Sequence, residues 1–199
     1  MPLSRPTTFL LVVSSVLVAL VSYRFVLLGL PMSFPGFSGQ LENNLTAFTA
    51  HVVAAPIALL LGAVQLLALV QVRPALHRWL GRIYGLSVLV GAVSGFSVAI
   101  TAEGGLSAQV GFAVLACAWL VVTFIGISHA RARRFVEHRR WMMRSFALTF
   151  AGVTLRLQLI AFTVFGMEYE QASIWLAWSC WVPNALLIEW WLRRHSVAA

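Results

Sequence analysis

Apolar residues run along this chain in six long stretches, at about residues 8–30, 46–71, 79–101, 107–129, 141–165 and 173–193, with short polar segments between them. A helix rises about 1.5 Å per residue, so ~20 apolar residues cross the ~30 Å hydrocarbon core of a bilayer. The pattern therefore predicts an all-α polytopic membrane protein with six transmembrane helices. The connections are too short for a soluble module, so residues 1–199 read as a single integral membrane domain.

Charge orients the helices. Arg5, then Arg73, Arg78 and Arg82, then Arg131 to Arg144, then Arg193 and Arg194 occupy every second junction. Glu42, Glu103, Glu168 and Glu170 occupy the alternate ones, where no basic residue stands. Arginine-rich flanks stay on the cytoplasmic side. Both termini are thus expected inside, in the cytoplasmic (inner) membrane of a bacterium, and residues 31–45, 102–106 and 166–172 outside. A hydrophobic share of 60%, a charged share of 10% and a mean hydropathy of +0.88 also belong to bilayer. The net charge of +8 could suggest nucleic acid. The topology rule already accounts for it, so lipid is the expected partner and nucleic acid is not. The first stretch follows Arg5 as a signal peptide would, but it is too long and lacks a small-x-small cleavage site. It is expected to remain as the first helix.

Two segments resemble each other: His77-Arg78-Trp79-Leu80-Gly81-Arg82 and His138-Arg139-Arg140-Trp141-Met142-Met143-Arg144. Each carries W-x-x-R behind a His-Arg and opens a span, so spans 2–3 and 4–5 form a candidate parallel repeat of helical hairpins. The bland reading is that Trp and Arg recur as interface anchors. Small residues four apart, Ser87, Gly91, Gly95 and Ala99 on span 3 and Ala54, Ala58 and Gly62 on span 2, predict close packing of those helices. Pro183 should bend span 6 or loosen its ladder, with Asn184 able to bond a freed carbonyl. Pro31, Pro35, Gly36 and Gly39 mark an irregular outer loop, and Asn44 or Thr46 is the expected N-cap of span 2.

Intramembrane polar residues fall into two layers. Arg24, His51 and Arg156 lie in the outer half, with no carboxylate inside the hydrocarbon there. An arginine at a helix centre costs ~2.5–3.5 kcal/mol on insertion scales, so it should face protein, water or a partner. These three are the candidate ligand-binding residues of an outer polar cavity for an anionic or strongly dipolar molecule. The competing reading has Arg24 snorkelling outward and Arg156 paired with Glu103, Glu168 or Glu170. Nearer the inner boundary, Glu189, Arg82, Arg144 and Tyr84 share a depth and form a candidate polar cluster, with an Arg–Glu pair as its simplest solution. His77 and His138 match in depth and in the proposed repeat, with His129 near them, which makes them the candidate ligands of an inner haem or metal site. Histidines flanked by arginines are otherwise headgroup contacts. Cys117 and Cys180 lie inside spans and lack paired-cysteine spacing. No hydrolase or nucleotide-binding motif occurs.

Leu76 to Tyr84, His138 to Phe150, Val153-Thr154-Leu155-Arg156, Pro183-Asn184 and Glu189-Trp190 resemble the bacterial predicted-membrane-protein family called domain of unknown function 2306. The resemblance runs from about His51 to Glu189 and leaves span 1 outside. It implies a multi-helix membrane fold and carries no activity with it. The chain also resembles, more loosely, small b-type cytochromes with four-helix cores, but departs from their two-haem pattern in having no outer-half histidine pair.

Three functional classes fit these residues. The first is a redox protein interacting with quinone or b-type haem. The second is a small-solute transporter. The third is an accessory subunit that binds a membrane-protein partner or a second copy of itself. The first is taken as the leading expectation, and whether the chain is an enzyme stays open.

Overall fold

The computed structural model describes residues 4–34 and 37–195. Pro35 and Gly36 of the expected loop lie outside the described residues. All regular structure among the described residues is helical: α1 (Arg5–Ser22), α2 (Phe25–Ser33), α3 (Ser38–Asn43), α4 (Leu45–Val64), α5 (Ala68–Gln71), α6 (Pro74–Ala99), α7 (Gly105–Arg131), α8 (Phe135–Thr149), α9 (Ala151–Val164), α10 (Tyr169–Ser179) and α11 (Val182–Arg194). Among the described residues five segments are long and apolar enough to cross a bilayer: Arg5–Leu28, Leu45–Val64, Pro74–Ala99, Gly105–Arg131 and Phe135–Val164. Large apolar side chains such as Leu27, Phe124, Leu157 and Ile160 stand on their outer faces, more than half exposed. A protein in water would bury such residues. Lipid solvates them, and this is a membrane protein.

The helix boundaries follow local chemistry. Ser4 caps α1, its hydroxyl accepting from the Thr7 amide at 3.3 Å. The second apolar stretch does not stay helical to residue 71. The helix stops at Val64, and the side-chain amide of Gln71 donates to the freed carbonyls of Gln65 (3.2 Å) and Leu66 (3.3 Å). The chain then turns into α6, which opens with Pro74 in its first turn, where a missing N–H costs nothing. The sixth apolar stretch is broken. Its ladder ends at Ser179 and restarts at Val182 with Pro183 in the first turn. Asn184 bridges the break, donating to the Cys180 carbonyl at 3.1 Å and to the Thr154 hydroxyl of α9 at 3.0 Å.

The outer connection is more ordered than its Pro and Gly content suggests. Residues 38–43 form α3, whose buried Gln40 donates to the Val98 and Thr101 carbonyls at the end of α6. Asn44 precedes α4 without a side-chain cap; its amide instead donates to the Ser97 carbonyl at 3.0 Å. At Gly29 the backbone turns left-handed (φ 74°), which splits α2 ahead of Pro31.

The most extensive packing joins α4 to α6 and α7 to α8, with α6 on α7 binding the two pairs together. The small-residue stripes lie in the first of these seams. A Cβ at Gly62 would come within 2.8 Å of the Phe146 ring and 3.0 Å of Tyr84. The core there is Ala58, Tyr84, Val88, Ala92, Trp119 and Leu148. On the other side, α1 packs on α4 and α9, while α10 and α11 lie against α7, α8 and α9.

Candidate functional site

Three polar residues lie toward the end of the bundle away from most arginines: His51 on α4, Arg156 on α9 and Arg24 just past α1. His51 lies in the first half of α4. Its Nδ1 is 2.8 Å from the Gly91 carbonyl of α6, a contact made by an Nδ1–H tautomer that leaves Nε2 as an acceptor. The imidazole occupies room that only a glycine leaves: a Cβ on Gly95 would sit 2.8 Å from Nδ1. The small-residue stripe of α6, a packing signal in the sequence, thus also seats a polar side chain.

Arg156 projects from α9 and is half-buried. Its Nη1 donates to the Gly152 carbonyl one turn back at 2.9 Å. An arginine has five N–H donors, and the described residues engage no other donor of this one. Arg156 lies within electrostatic reach of both His51 and Arg24. Arg24, exposed at the end of α1, donates to the Ser33 carbonyl and lies over the Phe34 ring at 5.3 Å. No carboxylate stands within ion-pair distance of Arg156 or Arg24 among the described residues, so neither is paired with Glu103, Glu168 or Glu170. An aromatic group closes over this end: Phe34 packs edge-on to Phe48 (5.2 Å), and Phe37 meets Phe48 (5.4 Å) and Tyr169 (4.6 Å). Burial holds the Tyr169 phenol above its ordinary pKa, the Glu103 carboxylate adding to the effect, so it stays a neutral part of this cap.

At the basic end, the residues expected to form one cluster separate into three arrangements. Glu189 of α11 pairs with Arg144 of α8 through two contacts, Nε to Oε1 and Nη2 to Oε2, the second at 3.1 Å. Arg82 is not a partner. Its guanidinium folds back over Trp79, 4.9 Å from the ring centre, as Arg144 does over Trp141 at 4.7 Å. The two W-x-x-R segments thus perform the same stacking, one turn apart on each helix. Tyr84 points the other way, into the core.

There it joins a ring of buried hydroxyls. Trp119 Nε1 donates to Thr149 (2.9 Å), the Thr149 hydroxyl donates to the Ser145 carbonyl (2.8 Å) and the Thr123 hydroxyl to the Trp119 carbonyl (2.7 Å), while the Tyr84 phenol is hydrogen-bonded to Thr149 (2.8 Å) and Ser145 (2.6 Å), and Ser145 lies 2.6 Å from Thr123. These bonds tie α6, α7 and α8 together in the buried core. His77 and His138 also meet across α6 and α8, with ring centres 6.5 Å apart. His129 stacks on Trp141 at 6.5 Å.

Residues 48–192 match the family described as predicted membrane protein, DUF2306. The chain belongs to the DUF2306 family. No curated protein and no solved structure matches it. Within this DUF2306 chain the matched stretch holds His51, His77, Tyr84, Arg82, His138, Arg144, Arg156 and Glu189, while Arg24 lies before it. The hydroxyl ring and the aromatic cap were not singled out in the sequence. Thr123 with Trp119, and Ser145 with Thr149, stand four apart, so each pair shares one helix face. That spacing was the available signal.

Proposed function

We propose that this protein binds a quinone headgroup, or another carbonyl-bearing or anionic molecule, in the outer half of a bacterial cytoplasmic membrane, and has a redox role there. In this reading α10 and α11 together form a sixth span, which ends at Arg193 and Arg194, and both termini lie inside. Arg156 is the principal ligand-binding residue, with His51 beside it and Arg24 at the rim.

One observation carries the proposal. Arg156 and Arg24 stand within electrostatic reach of each other and share no carboxylate among the described residues. Two like charges in hydrocarbon call for a compensating acceptor. A carbonyl or an anion placed between the guanidinium and the imidazole supplies it. The Arg156 fork offers two parallel N–H donors, and His51 offers a nitrogen that can pass or accept a proton beside the bound oxygen.

The test is tryptophan fluorescence of the purified protein in mild detergent, titrated with three probes of similar size: a short-tailed benzoquinone, an aromatic carboxylate and an aromatic amine. The proposal expects saturable binding of the first two and none of the amine. Equal response to all three, or to none, contradicts it. The visible spectrum of the same sample separates the two redox forms of the reading, since a Soret band would assign b-type haem. Solute uptake by vesicles carrying the protein would replace the redox reading with transport.

A further inference from the structure

His77 and His138 sit at the opposite end from the proposed ligand site, with their rings facing each other across α6 and α8. His77 Nδ1 is buried and has no hydrogen-bond partner among the described residues. Buried polar atoms are nearly always paired, so this nitrogen needs an explanation. His138 is held differently. Its Nδ1 lies 2.8 Å from the Gly126 carbonyl of α7. A backbone carbonyl on one imidazole nitrogen fixes the tautomer, orients the ring and raises the basicity of the other nitrogen, as in the outer shell of metal-bound histidines.

The spacing fits one ion. Metal–nitrogen bonds of about 2.0–2.1 Å, with each ring centre roughly 1.1 Å beyond its nitrogen, put two imidazoles in line across an ion about 6.3 Å apart. The observed separation is 6.5 Å, with the ring planes at 82°. In-line ligation leaves that angle free. No third His, Cys, Asp or Glu joins the pair among the described residues. Met142 does stand near. It lies four residues after His138 on the same face of α8, and its thioether packs where a side chain on Gly126 would be.

We propose that His77 and His138, with Met142 alongside, hold a single Cu⁺ ion. Two imidazoles and a thioether suit copper, and the absence of carboxylates disfavours the harder divalent ions. A monovalent ion also meets less repulsion from Arg78, Arg82 and Arg139 at this end of the bundle.

The experiment titrates purified protein with Cu⁺, kept reduced by ascorbate, against the chromophoric chelator bicinchoninate. One ion per chain is expected. His77→Ala and His138→Ala should each weaken binding at least tenfold, and Met142→Leu severalfold. His195→Ala should change nothing, because that ring stacks on Trp191 and bonds its own helix. X-ray absorption of the copper-loaded wild type, which depends on no variant folding, should show two nitrogen neighbours at about 2 Å. No retained copper, unchanged affinity in both folded histidine variants, or a copper environment without nitrogen would each overturn the proposal.

Discussion

Arg144 grips Glu189 with two nitrogens of its guanidinium across 45 positions of sequence, joining α8 to α11, while its flat face covers Trp141. Few contacts tie the last helix to the rest of the bundle, so the pair matters to how α11 docks. Its side chains are 22% and 38% exposed. Its worth therefore lies between that of a surface pair and that of a buried one, about 1–3 kcal/mol.

Glu189→Gln should accordingly lower the melting temperature in detergent by several degrees. Glu137→Gln removes only the exposed 3.6 Å contact to Arg140 and should shift it little. Equal shifts for the two variants would mean that the pair does not hold α11 in place.

Tyr84→Phe tests the hydroxyl ring. The phenol is hydrogen-bonded to both Thr149 and Ser145 in a fully buried setting. Its loss leaves two hydroxyls to find new partners, a cost of about 1–3 kcal/mol. Tyr23→Phe removes one hydrogen bond, to the Val53 carbonyl, in an exposed setting and should cost less. Thermal unfolding of the two variants, measured side by side, decides the point. A larger loss for Tyr23→Phe would contradict the ring.

Topology can be read with single cysteines in a background lacking Cys117 and Cys180. Gly104 is a poor position for the probe, because its backbone is left-handed (φ 96°) and a Cβ there would meet the Glu170 carbonyl at 3.0 Å. Glu168 is exposed and sits between α9 and α10. Glu168→Cys should react with an impermeant maleimide on intact cells, and Arg134→Cys only after permeabilisation. The reverse result would invert the orientation.

Much of the fold was legible because bilayer thickness sets the length of the apolar runs in sequence. The long apolar runs gave the helices, the stripe from Ser87 to Ala99 gave the tight seam of α4 with α6, and Asn184 beside Pro183 gave the repair of the broken ladder. Hydropathy could not show that α4 stops at Val64, since Leu66 to Val70 beyond it are again apolar and the end is set by Gln71 bonding freed carbonyls. Nor could depth alone assign partners. Arg82, Arg144 and Tyr84 share a level, but they leave their helices in different directions, and only Arg144 faces Glu189. Gly95 looked like one more small residue in a packing stripe. Its purpose as the seat of His51 depends on which helix face opposes it.

That seat yields a prediction for the candidate site. Gly95→Ala drives a methyl group into His51 and should break its contact with Gly91. Ligand affinity at the α1–α4–α9 junction should fall at least tenfold, about 1.4 kcal/mol or more, as read by fluorescence titration. Ala99→Gly, at the end of the same stripe, should leave it unchanged. Equal affinity for the two variants would remove His51 from the site.

The most direct measurement compares Arg156 with lysine at the same place. Lysine keeps the charge but cannot offer two parallel donors from a planar fork. In titrations of purified protein with a short-tailed benzoquinone, Arg156→Lys should weaken binding at least tenfold while the melting temperature stays within a few degrees of wild type. Wild-type affinity in a folded Arg156→Lys protein would contradict the account.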